Sequence, residues 1–219
     1  TYVWFDALLN YVTAIGWESD KEKFSNLWPA SLHLIGKDIL TTHCVYWPIM
    51  LMAAGLQLPK TVLAHGWWMS NENKMSKSIG NVVDPLDIIK KHGSDALRFY
   101  LMRNMVVGMD SNYSYESFIK RYNSDLANDY GNLINRITML IQKNFQNRIP
   151  KINKLEDLDE QLIKAVKLKT DSIHQTINDL KIHDLIENSV SILRLLNKYL
   201  EVRAPWKLVK QGEKEFDLA

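Results

Sequence analysis

The sequence predicts an α/β first part followed by an all-α helical bundle. Before residue 117, short apolar runs bounded by polar or glycine residues alternate with helical patterns, as in buried parallel strands. After it, apolar residues recur at three- and four-residue steps and glycine is nearly absent. Six of the seven tryptophans lie within residues 1–68. We therefore predict two domains, residues 1–116 and residues 117–219.

The first domain contains short apolar segments of strand length. The candidate strands are residues 2–5, 32–35 and 62–65. A helix is predicted over residues 39–54, with Asp38 as its N-cap and Gly55 at its end. These elements are consistent with buried parallel strands, each followed by a helix, in an α/β domain.

A polar stretch and two capped helices follow. Residues 70–81 show no periodicity, which is typical of a surface loop. Asp84 and Pro85 supply the N-cap and the first position of a helix that His92-Gly93 ends. Another helix is predicted from Ser94 to about Met105.

The second domain is predicted to consist of long amphipathic helices. One runs from about Ser117 to Ile141 with apolar side chains on one face. A loop over residues 147–158 separates it from two helices, over residues 159–180 and 183–202, and Pro205 closes the last.

Composition and charge exclude several classes of protein. Cys44 is the only cysteine, so the chain can form neither an intrachain disulfide nor a cysteine-based zinc site. The longest apolar stretch, residues 45–56, contains Pro48 and is too short to span a bilayer. With no signal peptide at its start, we expect a cytoplasmic protein without membrane association. Residues 119–219 hold 17 basic and 14 acidic residues, a mild excess that suits a polyanion.

The most specific pattern is Lys74-Met75-Ser76-Lys77-Ser78, in the predicted loop. Two cations and two hydroxyls on a loop can close over a triphosphate, where fixed ammonium groups stabilise charge on leaving pyrophosphate. Any polar loop can hold two lysines, so the alternative is a plain surface loop.

The complete string resembles the second signature of class I aminoacyl-tRNA synthetases. The resemblance implies a Rossmann-like nucleotide-binding half-domain, catalytic roles for Lys74 and Lys77, and ATP with Mg²⁺ as the substrate complex. The implied ATP-binding residues are Gly36, Asp38, His65, Gly66, Trp68, Lys74, Ser76 and Lys77. Asp38 is placed on the ribose by this resemblance, a role compatible with a helix cap.

Residues 2–11 and 33–48 resemble the methionyl family within that class. The implied methionine-binding residues are Trp4, Ala7, Leu8, Tyr11, Ile39, His43 and Trp47. Ile39, His43 and Trp47 step by four along one helix and so share a face. Aromatic walls suit a polarizable thioether, and a Tyr hydroxyl and a His nitrogen can meet its sulfur as weak polar contacts. The alternative is that these residues are ordinary core aromatics.

The resemblance also implies that the second domain binds the anticodon of tRNA(Met). The matching positions are Asn132, Arg136 and Trp206. Asn132 and Arg136 are four apart on one helix and offer hydrogen bonds to base edges, and an exposed Trp can stack an unpaired base. The alternatives are a solvated helix face for the first two and packing against the helix base for Trp206.

The family's first signature, His-Ile-Gly-His, does not occur in the sequence, and neither does its cysteine-rich zinc insertion. The abrupt ends lead us to expect a fragment that binds no zinc and that is inactive alone. The expected activity of the whole protein is ATP-dependent ligation of L-methionine to tRNA(Met). A leucyl, valyl or isoleucyl enzyme and a non-catalytic tRNA-binding module are the alternatives.

Overall fold

A computed structural model describes residues 3–70, 73–75, 82–151 and 154–211. Two residues of the Lys-Met-Ser-Lys-Ser string to which roles were assigned, Ser76 and Lys77, lie outside these ranges. The chain packs as two compact units. The first unit comprises the chain up to Met69 with Val106–Ser111, and the second comprises Ser70–Met105 with the chain from Asn112 onward. The domain boundary after residue 116 stays a prediction.

The first unit begins with a helix where the sequence predicted a strand. Helix α1 spans Val3–Thr13, so the strand predicted over residues 2–5 is wrong for its described part. Its aromatic and β-branched residues favour a strand locally, but Trp4, Leu8 and Val12 recur every four residues and pack into the core. Helix α2, Lys21–Leu27, was not predicted, although Asp20 caps it by accepting a hydrogen bond from the backbone N–H of Lys23.

Two parallel strands form the sheet of this unit. Strand β1 is His33–Gly36 and strand β2 is Val62–His65, paired in register from His33 with Val62 to Gly36 with His65. The strand predicted over residues 62–65 is confirmed. The strand predicted over residues 32–35 is present but begins and ends one residue later. The carboxyl ends of both strands therefore meet at Gly36 and His65, where open α/β sheets bind ligands.

The helix predicted over residues 39–54 is present but irregular. A 3-10 turn at Lys37–Ile39 leads into a π-helical turn at Thr42–Tyr46 and then helix α3, Trp47–Ala53. Asp38 is not the predicted N-cap, because it lies inside the 3-10 turn. In the π turn, the N–H of Trp47 donates to Thr42, five residues back. Pro48 follows without an N–H of its own, which favours such an irregularity.

Buried side chains from α1, α3 and the segment after α2 form the core of the first unit. They are Leu8, Val12, Trp28, Trp47 and Leu51. Trp28 also donates its indole N–H to the carbonyl of Gln57 at 2.9 Å. These side chains hold α1 and α3 together in one core.

Short strands follow β2. Strands β3 (Trp68–Ser70), β4 (Asn73–Lys74) and β5 (Ser111–Tyr113) form a sheet in the order β4-β3-β5. The surface loop predicted over residues 70–81 is thus wrong at Ser70 and at Asn73–Lys74. The remainder of that stretch lies outside the described residues, apart from Met75.

The capped helices of the second unit are confirmed. Helix α4 spans Pro85–His92, where Asp84 accepts from the N–H of Leu86 and Gly93 ends the helix at a φ of 85°. Helix α5 spans Ser94–Asn104.

The predicted long helix is also confirmed, but its middle part is π-helical, which was not predicted. Helix α6, Tyr115–Arg121, passes through a π-helical segment, Tyr122–Asn132, into helix α7, Leu133–Asn144. Ser114 caps its start by a reciprocal pair of hydrogen bonds with Ser117. The apolar spacing did not reveal the change of helical pitch.

Three further helices complete the second unit as described. Helix α8 spans Asp157–Asn178 and helix α9 spans Ile182–Arg203, both within two residues of prediction at their starts. Helix α9 ends at Ala204, with a φ of 44°, and Pro205 then begins helix α10, Pro205–Gln211. The sequence did not predict α10, because a proline that stops one helix also suits the first position of the next. Within the described ranges, no helix is long and apolar enough to cross a membrane.

Candidate functional sites

The first candidate site lies at the carboxyl ends of β1 and β2. A Cβ atom added to Gly36 would lie 2.5 Å from a carboxylate oxygen of Asp38 and 3.9 Å from the ring of His65. The missing side chain therefore lets an exposed carboxylate and an imidazole converge on one strand end. Asp38, His65 and Gly36, predicted as nucleotide-binding residues, are brought together here.

The segment after β2 is held by a close backbone approach. A Cβ atom on Gly66 would lie only 2.0 Å from the carbonyl oxygen of Met109, so only glycine fits. The N–H of Trp67 donates to Asp110 at 2.9 Å, and the N–H of Ser111 donates to the carbonyl of Trp67 at 2.9 Å. The 106–111 segment thus lies directly against the residues that follow β2.

Asp110 also pairs with a cation from the other strand end. The Lys37 ammonium lies 2.6 Å from a carboxylate oxygen of Asp110 and 4.3 Å from the ring centre of Trp67. The hydrogen bond from Lys37 and that from the Trp67 N–H hold the pKa of Asp110 below its usual value. The carboxylate is therefore fixed in its ionised form between two elements.

The second candidate site is an aromatic cluster between α1, β1 and the helix that follows β1. His43 is 1% exposed, and its Nδ1 lies 3.0 Å from the carbonyl oxygen of Ile39, so Nδ1 carries the proton. Its Nε2 lies 3.0 Å from the Tyr11 hydroxyl, within hydrogen-bonding distance. Both ring nitrogens of His43 are thus engaged within the protein, and the expectation that a His43 nitrogen meets a sulfur atom stays a prediction.

His33 joins the same cluster from β1. The indole N–H of Trp47 donates to Nε2 of His33 at 3.2 Å, and the ring of Tyr11 packs at an angle of 47° against His33, with ring centres 4.4 Å apart. Burial, followed by the neighbouring His43, lowers the pKa of His33. His33 is therefore held as a neutral acceptor whose partner is a buried indole.

The residues predicted for methionine differ in their burial. Leu8 and Trp47 lie inside the core, at 1% and 0% exposure. Tyr11 is 39% exposed, whereas Trp4, Ala7 and Ile39 are half-buried. Trp4 packs edge-on against His43, with ring centres 6.0 Å apart. The accessible wall of the cluster is thus formed by the half-exposed members, and Leu8 and Trp47 support it from behind.

The third candidate site is a groove of the second unit, between α7, the end of α9 and α10. Its cavity volume is about 370 Å³. The lining residues are Arg136, Met139, Leu140, Lys143, Asn144, Leu200, Pro205, Trp206 and Val209. The Arg136 guanidinium lies 5.1 Å from the ring centre of Trp206, which is 40% exposed, and 3.9 Å from Glu201. Two of the three predicted anticodon positions therefore meet.

Asn132 is exposed on the same long helix, one turn before Arg136, and is not among the groove-lining residues.

Trp68 is half-buried in β3. Lys74 belongs to β4 by its backbone. Among the described residues, no group of three His, Cys, Asp or Glu side chains is arranged to hold a metal ion.

Sequence reasoning missed His33, Lys37 and Asp110. His33 and Lys37 lie within or beside segments already singled out, but nothing in their spacing distinguishes them from core or surface residues. Asp110 lies 73 residues from its partner Lys37, a separation that no periodic pattern connects.

Comparison with known proteins gives these sites a context. A family model described as tRNA synthetases class I (M) matches residues 1–138. The methionine–tRNA ligase of Clostridium tetani is 44% identical over 215 residues, which is 98% of this chain and 34% of that protein. The ligase of Thermotoga maritima is 44% identical over 214 residues, again 98% of this chain and 34% of that protein. The chain thus spans about a third of the length of the curated relatives it matches.

Solved structures give the same result. The methionyl-tRNA synthetase of Mycobacterium tuberculosis in complex with methionyl-adenylate is 40% identical, with a TM-score of 0.91 over 100% of this chain and 43% of that one. Its free-state structure is 36% identical, with a TM-score of 0.86 over 98% of this chain and 42% of that one.

Proposed function

The chain belongs to the class I tRNA synthetases of the methionyl type, and from this membership we propose that it forms part of an ATP-dependent ligase that joins L-methionine to tRNA(Met). The observation that carries the proposal is the 40% identity, over the whole chain, to a synthetase solved with methionyl-adenylate. The complete Lys-Met-Ser-Lys-Ser string at residues 74–78 supports it independently.

In the proposed first step, the methionine carboxylate attacks the α-phosphorus of ATP, bound as its magnesium complex. A bond forms between carboxylate oxygen and phosphorus, the bridging bond to the β-phosphate breaks, and pyrophosphate leaves. Negative charge accumulates on the leaving group, so the ammonium groups of Lys74 and Lys77 stabilise the transition state more than the ground state. Ser76 adds a hydroxyl to the same phosphate clamp.

The strand-end site suits the nucleoside part of ATP. Asp38 supplies a carboxylate that can accept from ribose hydroxyls, beside a glycine that admits a close approach. His65, Gly66 and Trp68 follow on the neighbouring strand end and are proposed to contact the adenine. The position of His65 at the carboxyl end of β2, with Gly66 and Trp68 close behind it in the chain, is what supports this role.

The aromatic cluster is proposed to bind the methionine side chain. Trp4 and Tyr11 offer accessible ring surface, against which a thioether packs well. His43 acts through Tyr11, since its own nitrogens are engaged by Ile39 and Tyr11. Ala7 and Ile39 complete the accessible wall, and Leu8 and Trp47 hold it in place from the core.

The groove of the second unit is proposed to take a base of the CAU anticodon. Trp206 offers a partly exposed ring for stacking, and Arg136 lies over the same ring as a planar donor. Asn132, one turn away, is proposed to read a neighbouring base edge. The mild positive charge of the second half supports binding of RNA.

The test is amino-acid-dependent exchange of pyrophosphate into ATP by the natural protein that contains this chain, with each of the twenty amino acids. Exchange with methionine alone is expected. Exchange with leucine, valine or isoleucine instead would transfer the chain to another branch of the class and refute the methionine pocket. Binding of tRNA without exchange for any amino acid would leave a non-catalytic tRNA-binding module.

A further inference from the structure

The carboxylate of Asp110 joins two segments that follow the two parallel strands. One oxygen accepts from the backbone N–H of Trp67, directly after β2, at 2.9 Å. The ammonium of Lys37, directly after β1, lies 2.6 Å from the carboxylate, and the two side chains are 34% and 28% exposed. A single side chain therefore links the two strand ends beyond their last ladder pair.

The surrounding geometry leaves this segment little freedom. The carbonyl of Met109 lies where a Gly66 side chain would be, so the two backbones touch. The Lys37 ammonium lies 4.3 Å from the Trp67 ring centre, which fixes the ring beside the ion pair. Asp110 is the only one of these groups that bonds both to Lys37 and to the backbone after β2.

We propose that Asp110 is a positioning residue for nucleotide binding, which holds the segment from His65 to Trp68 in the conformation that receives the adenine. This rests on the proposed function, since it assumes that the strand ends bind ATP. Asp110 itself does not contact the nucleotide; it acts through Lys37 and through the peptide before Trp67. Methionine binds at the aromatic cluster, which Asp110 does not contact in any described interaction.

The test compares variants of the natural full-length protein in methionine-dependent exchange of pyrophosphate into ATP. Asp110→Ala removes both links, and we expect the KM for ATP to rise about tenfold while the KM for methionine stays unchanged. Asp110→Asn keeps an acceptor for Trp67 but loses the charge that attracts Lys37, so a smaller rise in the same KM is expected. This second variant preserves the test if the first fails to fold.

Asp20→Ala is the matched control. Asp20 is an aspartate of the same unit whose side chain also accepts one backbone N–H, that of Lys23 at 3.0 Å, but it lies at the start of α2. Its loss costs stability without altering either KM. A merely structural role for Asp110 would lower the melting temperature as Asp20→Ala does and leave the KM for ATP unmoved.

The outcomes separate the two proposals. An unchanged KM for ATP in Asp110→Ala, or a parallel rise of both KM values, overturns the positioning role while the proposed function stands. Absence of exchange by the wild-type protein overturns the proposed function and the positioning role with it. A selective rise in the KM for ATP, graded from Asn to Ala, supports both.

Discussion

Gly36 and Gly66 lie beside the ends of the same two strands but meet neighbours of different kinds. A Cβ atom on Gly66 would lie 2.0 Å from the carbonyl oxygen of Met109. Because this oxygen belongs to the backbone, it cannot rotate away as a side chain can. We expect Gly66→Ala to lower the free energy of unfolding by about 3 kcal/mol or more. Urea unfolding of variant and wild type would measure it, and equal midpoints would contradict the close approach.

Gly36→Ala is the contrasting substitution. The added methyl would meet a carboxylate oxygen of Asp38 at 2.5 Å, which is the end of an exposed side chain that can rotate away. The fold should therefore survive, with a change in unfolding free energy of less than about 1 kcal/mol. Because Asp38 is displaced, ATP binding by the natural protein should weaken, measured as a higher KM for ATP. Unaltered ATP binding would remove Asp38 from the proposed ribose site.

Trp206 provides a test of the proposed anticodon-binding groove between α7, the end of α9 and α10. Trp206→Ala removes the stacking surface and should weaken binding of tRNA with a CAU anticodon by about 1–3 kcal/mol. Trp206→Phe keeps a ring and serves as the control, with most of the affinity retained. Filter binding at fixed salt would compare them, with circular dichroism to establish that the helices persist. Equal affinity for the Ala variant and wild type would place the RNA elsewhere.

At the scale of single elements, local chemistry decided which predictions succeeded. Helix α4 has clear signals at both ends. Asp84 and Pro85 mark its start and Gly93 marks its end, and its predicted bounds are confirmed. In helix α1 the strand-like residues were misleading, because burial of every fourth side chain overrides the local preference for a strand. The π-helical segment at Tyr122–Asn132 was invisible, since a change of pitch leaves most of the apolar spacing intact.

That π-helical segment carries a buried carboxylate with three arginine partners. The side chain of Asp125 has 0% exposure, and it accepts from Arg103 of α5 and Arg121 at 3.3 Å and from Arg194 of α9 at 3.4 Å. Asp125→Asn would leave these cations with too little negative charge, at a cost of about 3–5 kcal/mol in unfolding free energy. Thermal and urea unfolding would measure the loss.

The matched control is Asp179→Asn. Asp179 is 39% exposed and pairs with Lys181 at 3.7 Å, so its loss should change stability by less than about 0.5 kcal/mol. Similar effects for the two substitutions would mean that the buried network does not hold α5 and α9 to the π-helical segment.

The pairing of α8 with α9 should depend on pH through Asp159. Burial raises the pKa of Asp159, but hydrogen bonds from Tyr199, from the Glu156 N–H and from Arg203 outweigh it and bring the pKa to about 2, against an ordinary 3.8. A lowered folded-state pKa stabilises fully above the unfolded value, so this stabilisation is present above pH 3.8 and lost as pH falls towards 2.

We expect stability between pH 4 and 2 to fall by on the order of 1–2 kcal/mol more in wild type than in Asp159→Asn. Urea midpoints at half-unit steps of pH would give both curves. Asp171→Asn, an exposed position of the same helix, is the control and should follow wild type. Parallel curves for Asp159→Asn and wild type would exclude Asp159 as the titrating group.

At the scale of the whole molecule, the sequence was enough to identify the family but not the contacts between residues far apart in the chain. The Lys-Met-Ser-Lys-Ser string and the two aromatic segments led to the family that the comparisons show. The hydrogen bond of Tyr11 with His43 spans 32 residues, and the ion pair of Lys37 with Asp110 spans 73. Such partners are chosen by the way strands and helices pack, and no local spacing specifies them. The engagement of both His43 nitrogens is a consequence of that packing.

The 219 residues taken alone are expected not to catalyse exchange of pyrophosphate into ATP. They contain the second signature of the class but no His-Ile-Gly-His string, so a phosphate clamp built from them has the lysines of residues 74–78 without the imidazoles of the first signature. In the proposed mechanism both parts act on charge in one transition state, so a chain that has only one of them is expected to exchange pyrophosphate into ATP below detection. The groove around Trp206 needs neither signature, so CAU-anticodon tRNA should still bind. The measurement is exchange of pyrophosphate into ATP by this chain and by the natural full-length protein at equal concentration. Methionine-dependent turnover by the 219 residues alone would show that Lys74, Lys77 and the strand-end residues suffice for adenylate formation.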